Sequence, residues 1–346
     1  MSILKQAIGV DVSKDTLVVA IGTIDDTQQI NCAATASFAN SSAGFRSLIA
    51  WVKKHRHKDT NVALPIVMEA TGVYHEKLAV RLHDDGYQVS IVLASKIKHF
   101  IISHNSKSKT DRIDAEMIMR FALERAVEPW KPAEALYSEL RSLVREHDSV
   151  QDLLSEVGNR LHAIQHQAAS HKPTIKRLRA QREFLKKHLK QIEEEIKQLV
   201  KSDEALSESV ALISSIPGVG VMTAVAVLGE TNNFEHIESA SQLVSYAGLD
   251  PVHHQSGTHA GKTHISSKGN RRLRRRLYMP SLSAIRHNAP LRGVYQRLVA
   301  AKAVRKIAVA AVMRKLLSLI YTLWKKRQRF DATFGCNAAI SIEAVG

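Results

Sequence analysis

Four carboxylates stand in three short contexts that suit phosphate chemistry: Asp11 in Gly9-Val10-Asp11-Val12-Ser13-Lys14, Glu69 in Met68-Glu69-Ala70-Thr71-Gly72, and Asp111 with Asp114 in Lys109-Thr110-Asp111-Arg112-Ile113-Asp114. Ile8, Val10 and Val12 alternate with Gly9 and Asp11, so Asp11 reads as a strand residue in a hairpin whose second strand runs from Thr16 to Ile21. Glu69 closes a buried strand, Ile66-Val67-Met68. If the two strands are neighbours at about 4.8 Å, both acids converge at one sheet end. Asp111 and Asp114, three apart at a predicted helix start, share a face.

Like charges crowded within a few ångströms raise each other's pKa unless a cation neutralises them. Hard oxygen donors without clustered thiolates suit Mg²⁺ or Mn²⁺ rather than Zn²⁺, and such ions stabilise the oxygens of phosphoryl transfer. Each acid also has an ordinary role open to it: Asp111 as a helix cap, Asp114 paired with Arg112 or a lysine, Glu69 as a surface strand end. Asp15 fits a turn and Glu116 points away in helical phase, so both fall outside the set.

A second group of features lies downstream. Ile216-Pro217-Gly218-Val219-Gly220 separates two apolar runs and reads as helix, tight turn, helix, resembling a helix-hairpin-helix. Gly218 and Gly220 allow close backbone approach, and the N–H groups at the following helix start suit a phosphate; an ordinary packed helical hairpin fits the same residues. The run Lys268 to Arg276 carries six cations, Lys268, Arg271, Arg272, Arg274, Arg275 and Arg276, which read as nucleic-acid contacts because unopposed cations gain most by neutralising phosphates. Ser256, followed by Gly257, is by itself only a turn serine, and His253 and His254 lack a third spaced ligand for zinc.

The elements that must position these residues fall into an α/β segment followed by α segments. Phe45, Leu48, Ile49 and Val52 mark an amphipathic helix, another begins near His75, and Gln88 to Leu93 reads as a strand. From Leu136 the pattern lengthens: Leu143, Val150, Val157 and Ile164 recur every seventh residue, and after a break at Ala168 to Pro173 so do Leu178, Leu185, Ile192 and Leu199. These seams predict an antiparallel coiled-coil hairpin, serving either as an intramolecular pair or as a dimerisation arm. The boundaries expected are 1–130 for the acidic domain, 131–204 for the arm and 205–346 for the C-terminal domain, with a basic helical tail from Ala300 to Arg329.

Composition narrows the partners. The 346 residues carry 49 Lys and Arg against 33 Asp and Glu, a formal net charge of +16, which favours polyanions. Only 5% are aromatic, which favours backbone contacts over base stacking. Cys32 and Cys336, the two cysteines, suit a reducing cytosol. No stretch was expected to approach the roughly 18 apolar residues of a membrane span, so the expectation is a cytoplasmic, nucleoid-associated protein with no membrane partner.

The three acidic motifs, Gly248-Leu249-Asp250-Pro251 and Ser256-Gly257 together resemble one family, in its motif order and over nearly the whole chain. That family is the DEDD insertion-sequence transposases, the insertion-sequence one-ten and eleven-eleven group related to the Piv invertase. The resemblance implies a RuvC-like, ribonuclease H-type N-terminal domain holding Mg²⁺ through Asp11, Glu69, Asp111 and Asp114, then a coiled-coil arm and a C-terminal transposase domain. It also implies Ser256 as nucleophile, forming a phosphoserine link to DNA, and a structured bridge RNA guiding a dimeric or tetrameric homo-oligomer on element ends and target. The Ser-Gly pairing and the upstream anchor favour Ser256 over Ser266 and Ser267. The competing readings are a metal-dependent Holliday-junction-type nuclease that uses water, and a non-enzymatic nucleic-acid-binding protein.

Overall fold

The computed structural model describes residues 2–57, 62–70, 72–104, 110–168, 171–252, 255–256, 259–260, 264–301 and 304–331. The chain divides into two compact units, Met1–Pro132 and Ala133–Gly346.

The first unit opens with the expected hairpin, β1 (Ile3–Val12) and β2 (Thr16–Asp25), and continues through β3 (Ile30–Ala39), α1 (Ser42–His55), β4 (Ile66–Glu69), α2 (Glu76–Asp84), β5 (Val89–Val92), α3 (Ala94–Ser103) and α4 (Asp111–Glu124). The sheet order is β3-β2-β1-β4-β5, with β1, β2 and β3 antiparallel and β4 and β5 parallel to β1. The β1–β2 turn is closed by Ser13, whose amide donates to the Thr16 carbonyl at 2.9 Å and whose hydroxyl accepts from the Thr16 amide at 3.0 Å. β3 is an edge strand of small and polar residues, mostly outside the core, so its sequence lacks the alternation that one buried face imposes.

Alternation along β1 sends Ile8, Val10 and Val12 to the face covered by α1 and α2, where Phe45, Leu48, Leu78 and Leu82 are buried. The opposite face packs Ala7, Ala20 and Val67 with Ile97 of α3 and Ala115, Ile118 and Met119 of α4. Gly9 lies on this second face. A Cβ placed there would overlap the Ala115 carbonyl oxygen and the Met119 amide nitrogen, and would stand 2.8 Å from the Met119 Cα. Only glycine admits a helix backbone so close to the strand. Lys5 donates to the Leu123 carbonyl at 3.3 Å, so α4 runs antiparallel to β1 and begins at the end where β1 finishes.

The second unit contains α5 (Ala135–Gln165), α6 (Lys172–Ser202), α7 (Glu204–Ser214), α8 (Val221–Thr231), α9 (Ala240–Tyr246), β6 (Pro251–Val252), β7 (Gln255–Ser256), β8 (His259–Ala260), β9 (His264–Ile265), α10 (Arg271–His287), α11 (Ala289–Ala300) and α12 (Arg305–Lys326). α5 and α6 pack antiparallel, burying Val150, Val157 and Leu161 with Leu178, Leu185 and Ile192, while Leu143, Leu154, Leu189 and Leu199 lie at the seam's edge. His188 of α6 approaches Glu146 of α5 at 3.2 Å. The hairpin shares its core with the rest of the unit, because α8 packs on the first part of α5 and Arg141 donates to the Gly229 carbonyl at 3.0 Å.

After Asp250 two short antiparallel ribbons form, β6 with β9 and β7 with β8. The expectation about apolar stretches needs correction at α12, which is long and apolar enough to span a membrane, with a mean hydropathy of 1.5 over its best window. Half of that window is buried, with Val312, Leu316, Leu317 and Ile320 packed in the unit's core. Arg314 and Lys315 interrupt the apolar run in sequence and disguised its average.

Candidate functional site

Strand register brings the first two acids together. Gly9 pairs with Val67 and Val10 with Met68, so Asp11 and Glu69 occupy the next step at the ends of adjacent parallel strands. Two-residue alternation puts both on the face of Gly9 and Val67, the face that α4 covers.

Asp111 is the first residue of α4, but Thr110 serves as its cap, accepting from the Ile113 amide at 3.3 Å, so Asp111 is exposed and has no capping duty. Asp114 is half-buried and immediately precedes Ala115, the residue seated on Gly9. The strand ends that carry Asp11 and Glu69 and the first turn of α4, which carries Asp111 and Asp114, thereby lie at the same end of the sheet. Among the described residues, no three His, Cys, Asp or Glu side chains stand close enough to share an ion. Asp11, Glu69 and Asp114 each interact with other groups, and Arg112 pairs with Glu116 at 3.0 Å. In donor chemistry the set fits a hard divalent cation: four oxygen acids with no thiolate among them.

Asn40 also positions this end, and sequence reasoning missed it. Its amide donates to the Ser13 carbonyl at 2.8 Å and to the Tyr74 carbonyl at 3.2 Å, tying the turn after Asp11 to the loop after Glu69. A lone asparagine beyond an unrecognised strand carries no signal in sequence.

In the second unit, Ser256 lies in β7, its backbone paired with His259 of β8. Gly257, His253, His254 and Lys109 lie outside the described residues. The two alternative serines belong to the backbone framework: the Ser266 amide donates to the Asp250 carbonyl at 2.8 Å, and the Ser267 amide donates to the Gly248 carbonyl at 3.1 Å.

A short turn joins α7 to α8, and its two glycines differ. Gly218 has φ +99° and packs on α10, where an added Cβ would meet the Ala284 amide nitrogen at 2.5 Å and Cα at 2.7 Å. Gly220 is exposed at the start of α8, with open space around the Cβ position.

The six cations of 268–276 are not all unopposed, which corrects the sequence expectation. Arg274 donates to the Ala247 carbonyl at 2.8 Å, Arg275 forms a two-pronged pair with Asp152, and Arg276 pairs with Asp148 at 2.6 Å and donates to His147 Nδ1 at 2.8 Å. Burial, and then the Arg276 charge, push the His147 pKa down, consistent with a neutral ring that accepts this bond. Lys268, Arg271 and Arg272 remain exposed, with no ion-pair partner among the described residues. The acids that pair with Arg275 and Arg276 lie more than a hundred residues upstream on α5, beyond any local reading of charge.

Glu230 orders the start of this helix. Its side chain is 2% exposed, accepts from Arg145 at 2.8 and 2.9 Å, and accepts from Asn270 at 2.8 Å, while Asn270 Oδ1 caps α10 through the Leu273 amide at 3.0 Å. Burial alone would push the carboxyl pKa up; the bonds from Arg145 and Asn270 outweigh it and hold it below the ordinary 4.5.

The chain is similar to known proteins over most of its length. Residues 8–170 match a DEDD transposase family of the IS110 type, and residues 210–296 match the transposase IS116/IS110/IS902 family. The pilin gene-inverting protein of Moraxella lacunata is 30% identical over 332 residues, covering 94% of this chain and 98% of that protein. The transposase for insertion sequence element IS1111A of Coxiella burnetii is 34% identical over 95 residues, covering 28% of this chain and 25% of that protein. A structure of T. thermophilus RuvC in complex with a Holliday junction substrate aligns with 36% of this chain and 99% of its own, at 8% identity and a TM-score of 0.27. These matches define an enzyme class, the transposases, which cut and rejoin DNA. The chain belongs to the IS110 family of DEDD transposases.

Proposed function

We propose that this protein is the recombinase of an insertion sequence, with Asp11, Glu69, Asp111 and Asp114 holding Mg²⁺ or Mn²⁺ in a ribonuclease H-type first unit and Ser256 acting as nucleophile. The observation that carries the reading is the register of β1 against β4, which sets Asp11 beside Glu69 on the face where α4 begins. A hard cation, when bound, supplies neutralisation of charge on phosphate oxygens.

The four carboxylates supply the cation's ligands, and their crowding is relieved by it. The Ser256 hydroxyl attacks a DNA phosphorus; the new bond is Oγ–P, and the bond that breaks joins phosphorus to a deoxyribose oxygen. The leaving oxygen takes up a proton in place of the one the serine gives up, so the phosphodiester's bond energy is kept for rejoining. Lys268, Arg271 and Arg272, with the exposed start of α8 at Gly220 in a helix-hairpin-helix-like turn, bind phosphates without reading sequence. A structured guide RNA supplies the sequence information. The α5–α6 hairpin acts as a coiled-coil arm joining copies of the chain into a dimer or tetramer, and the protein works on the nucleoid in the cytoplasm.

The test is a trapping assay with DNA spanning the element's end. The wild-type protein is expected to give a protein–DNA adduct resistant to denaturant, and Ser256→Ala is expected to give none and no strand transfer. Cutting that persists in Ser256→Ala without an adduct would replace this reading with a nuclease that uses water.

A further inference from the structure

α10 divides along its length into two faces. Leu273, Leu277, Pro280, Ser281 and Ala284 are buried. The exposed stripe is made of Arg271, Arg272, Tyr278, Met279 and Arg286, together with Arg275, which is paired to Asp152. At 3.6 residues per turn these six fall within about 120° of arc. Tyr278 is 46% exposed and Met279 66% exposed, two large apolar groups side by side in the middle of a cationic stripe.

Along the chain the charge around them is one-sided, although Asp148 and Asp152 of α5 pair with Arg276 and Arg275. From Pro251 to Phe330 the chain contains 19 Lys and Arg and no Asp or Glu. A segment so biased, with Lys268, Arg271, Arg272 and Arg286 exposed beyond those two pairs, is matched by a polyanion. Phosphates alone would need only the arginines. An exposed methionine and tyrosine placed between them fit something apolar that lies between two rows of phosphate, and base edges in a groove of duplex DNA have that arrangement. The major groove of B-form DNA admits a helix, whereas the deep, narrow major groove of A-form RNA does not.

We propose that the exposed stripe of α10 lies in the major groove of duplex DNA, with Arg271, Arg272 and Arg286 on phosphates and Tyr278 and Met279 against base edges. This assigns base contact to two residues of a protein otherwise expected to hold DNA by its backbone, and it rests on the reading that the protein acts on DNA. Both side chains face outward on a helix, so replacement by alanine leaves the core intact.

The test measures Kd over a series of salt concentrations for a random-sequence 30-base-pair DNA duplex, and for an RNA duplex of the same length, using wild-type protein, the double variant Tyr278→Ala/Met279→Ala, and Arg271→Ala/Arg272→Ala. Phosphate contacts set the slope of log K against log salt, and apolar base contacts shift its height. The Tyr278/Met279 variant is expected to bind DNA about tenfold more weakly at every salt concentration with the slope unchanged, and to bind RNA as the wild type does. The arginine variant is expected to lose slope by roughly two. A Tyr278/Met279 variant that binds DNA within twofold of the wild type, or that loses RNA binding equally, overturns the inference and leaves the recombinase reading standing. A wild-type protein that binds RNA and no DNA overturns both.

Discussion

Gly9 of β1 lies directly against the backbone of α4 at Ala115 and Met119. This contact fixes where α4 crosses the sheet, and therefore where Asp111 and Asp114 stand relative to Asp11, two residues further along the same strand face. Gly9→Ala forces strand and helix apart, and overpacking of this kind costs about 1–3 kcal/mol. The variant is expected to unfold at lower urea concentration and to lose more activity than its stability alone explains, because it displaces one pair of acids from the other. Urea titration beside a strand-transfer assay at a temperature where both proteins are folded checks this.

The Arg145–Glu230 pair should be asymmetric. Removing Arg145 strands a carboxylate whose side chain is 2% exposed, whereas removing the charge of Glu230 leaves a guanidinium that is 44% exposed and can turn to water. Arg145→Ala is expected to cost about 3 kcal/mol and Glu230→Gln about 1–2 kcal/mol. Chemical denaturation of the two variants reads the difference.

The same carboxyl gives a pH dependence. Its folded pKa lies below its ordinary value of 4.5, so it binds fewer protons folded than unfolded. The stability it contributes is therefore complete above that ordinary value and is lost as pH falls through the folded pKa. Glu230→Gln is expected to flatten the acid limb of stability below about pH 5 and to leave the neutral region with a constant offset. Thermal midpoints across pH measure it.

The cations of 268–276 should separate into two kinds. Arg276→Ala leaves Asp148 buried without its partner and is expected to destabilise the second unit by about 2 kcal/mol. Lys268→Ala, Arg271→Ala and Arg272→Ala are expected to shift stability by less than about 0.5 kcal/mol while each reduces the salt dependence of DNA binding. Paired thermal and binding measurements on the four variants check it.

Much of this arrangement was legible in sequence because alternation reports burial. Ile8, Val10 and Val12 against Gly9 and Asp11 gave the hairpin and the face of the acid, and the heptads from Leu143 and from Leu178 gave the paired helices. β3 escaped because an edge strand of small residues has no face to declare. Residues joined only by folding escaped too: Asn40 bridging two loops, Glu230 under Arg145, and Asp148 and Asp152 claiming two arginines from α5. Charge counted along the chain overstated the free cations for that reason, since partners distant in sequence cannot be seen in a local run.

Asp11, Glu69, Asp111 and Asp114 are proposed to act as one cation site. Mn²⁺ titration followed by electron paramagnetic resonance, on the wild-type protein and on Asp11→Asn, Glu69→Gln, Asp111→Asn and Asp114→Asn, tests it directly. A saturable site is predicted in the wild type, with affinity weakened at least tenfold in each variant. Equal Mn²⁺ affinity in all five proteins would mean that these four acids do not hold a common ion.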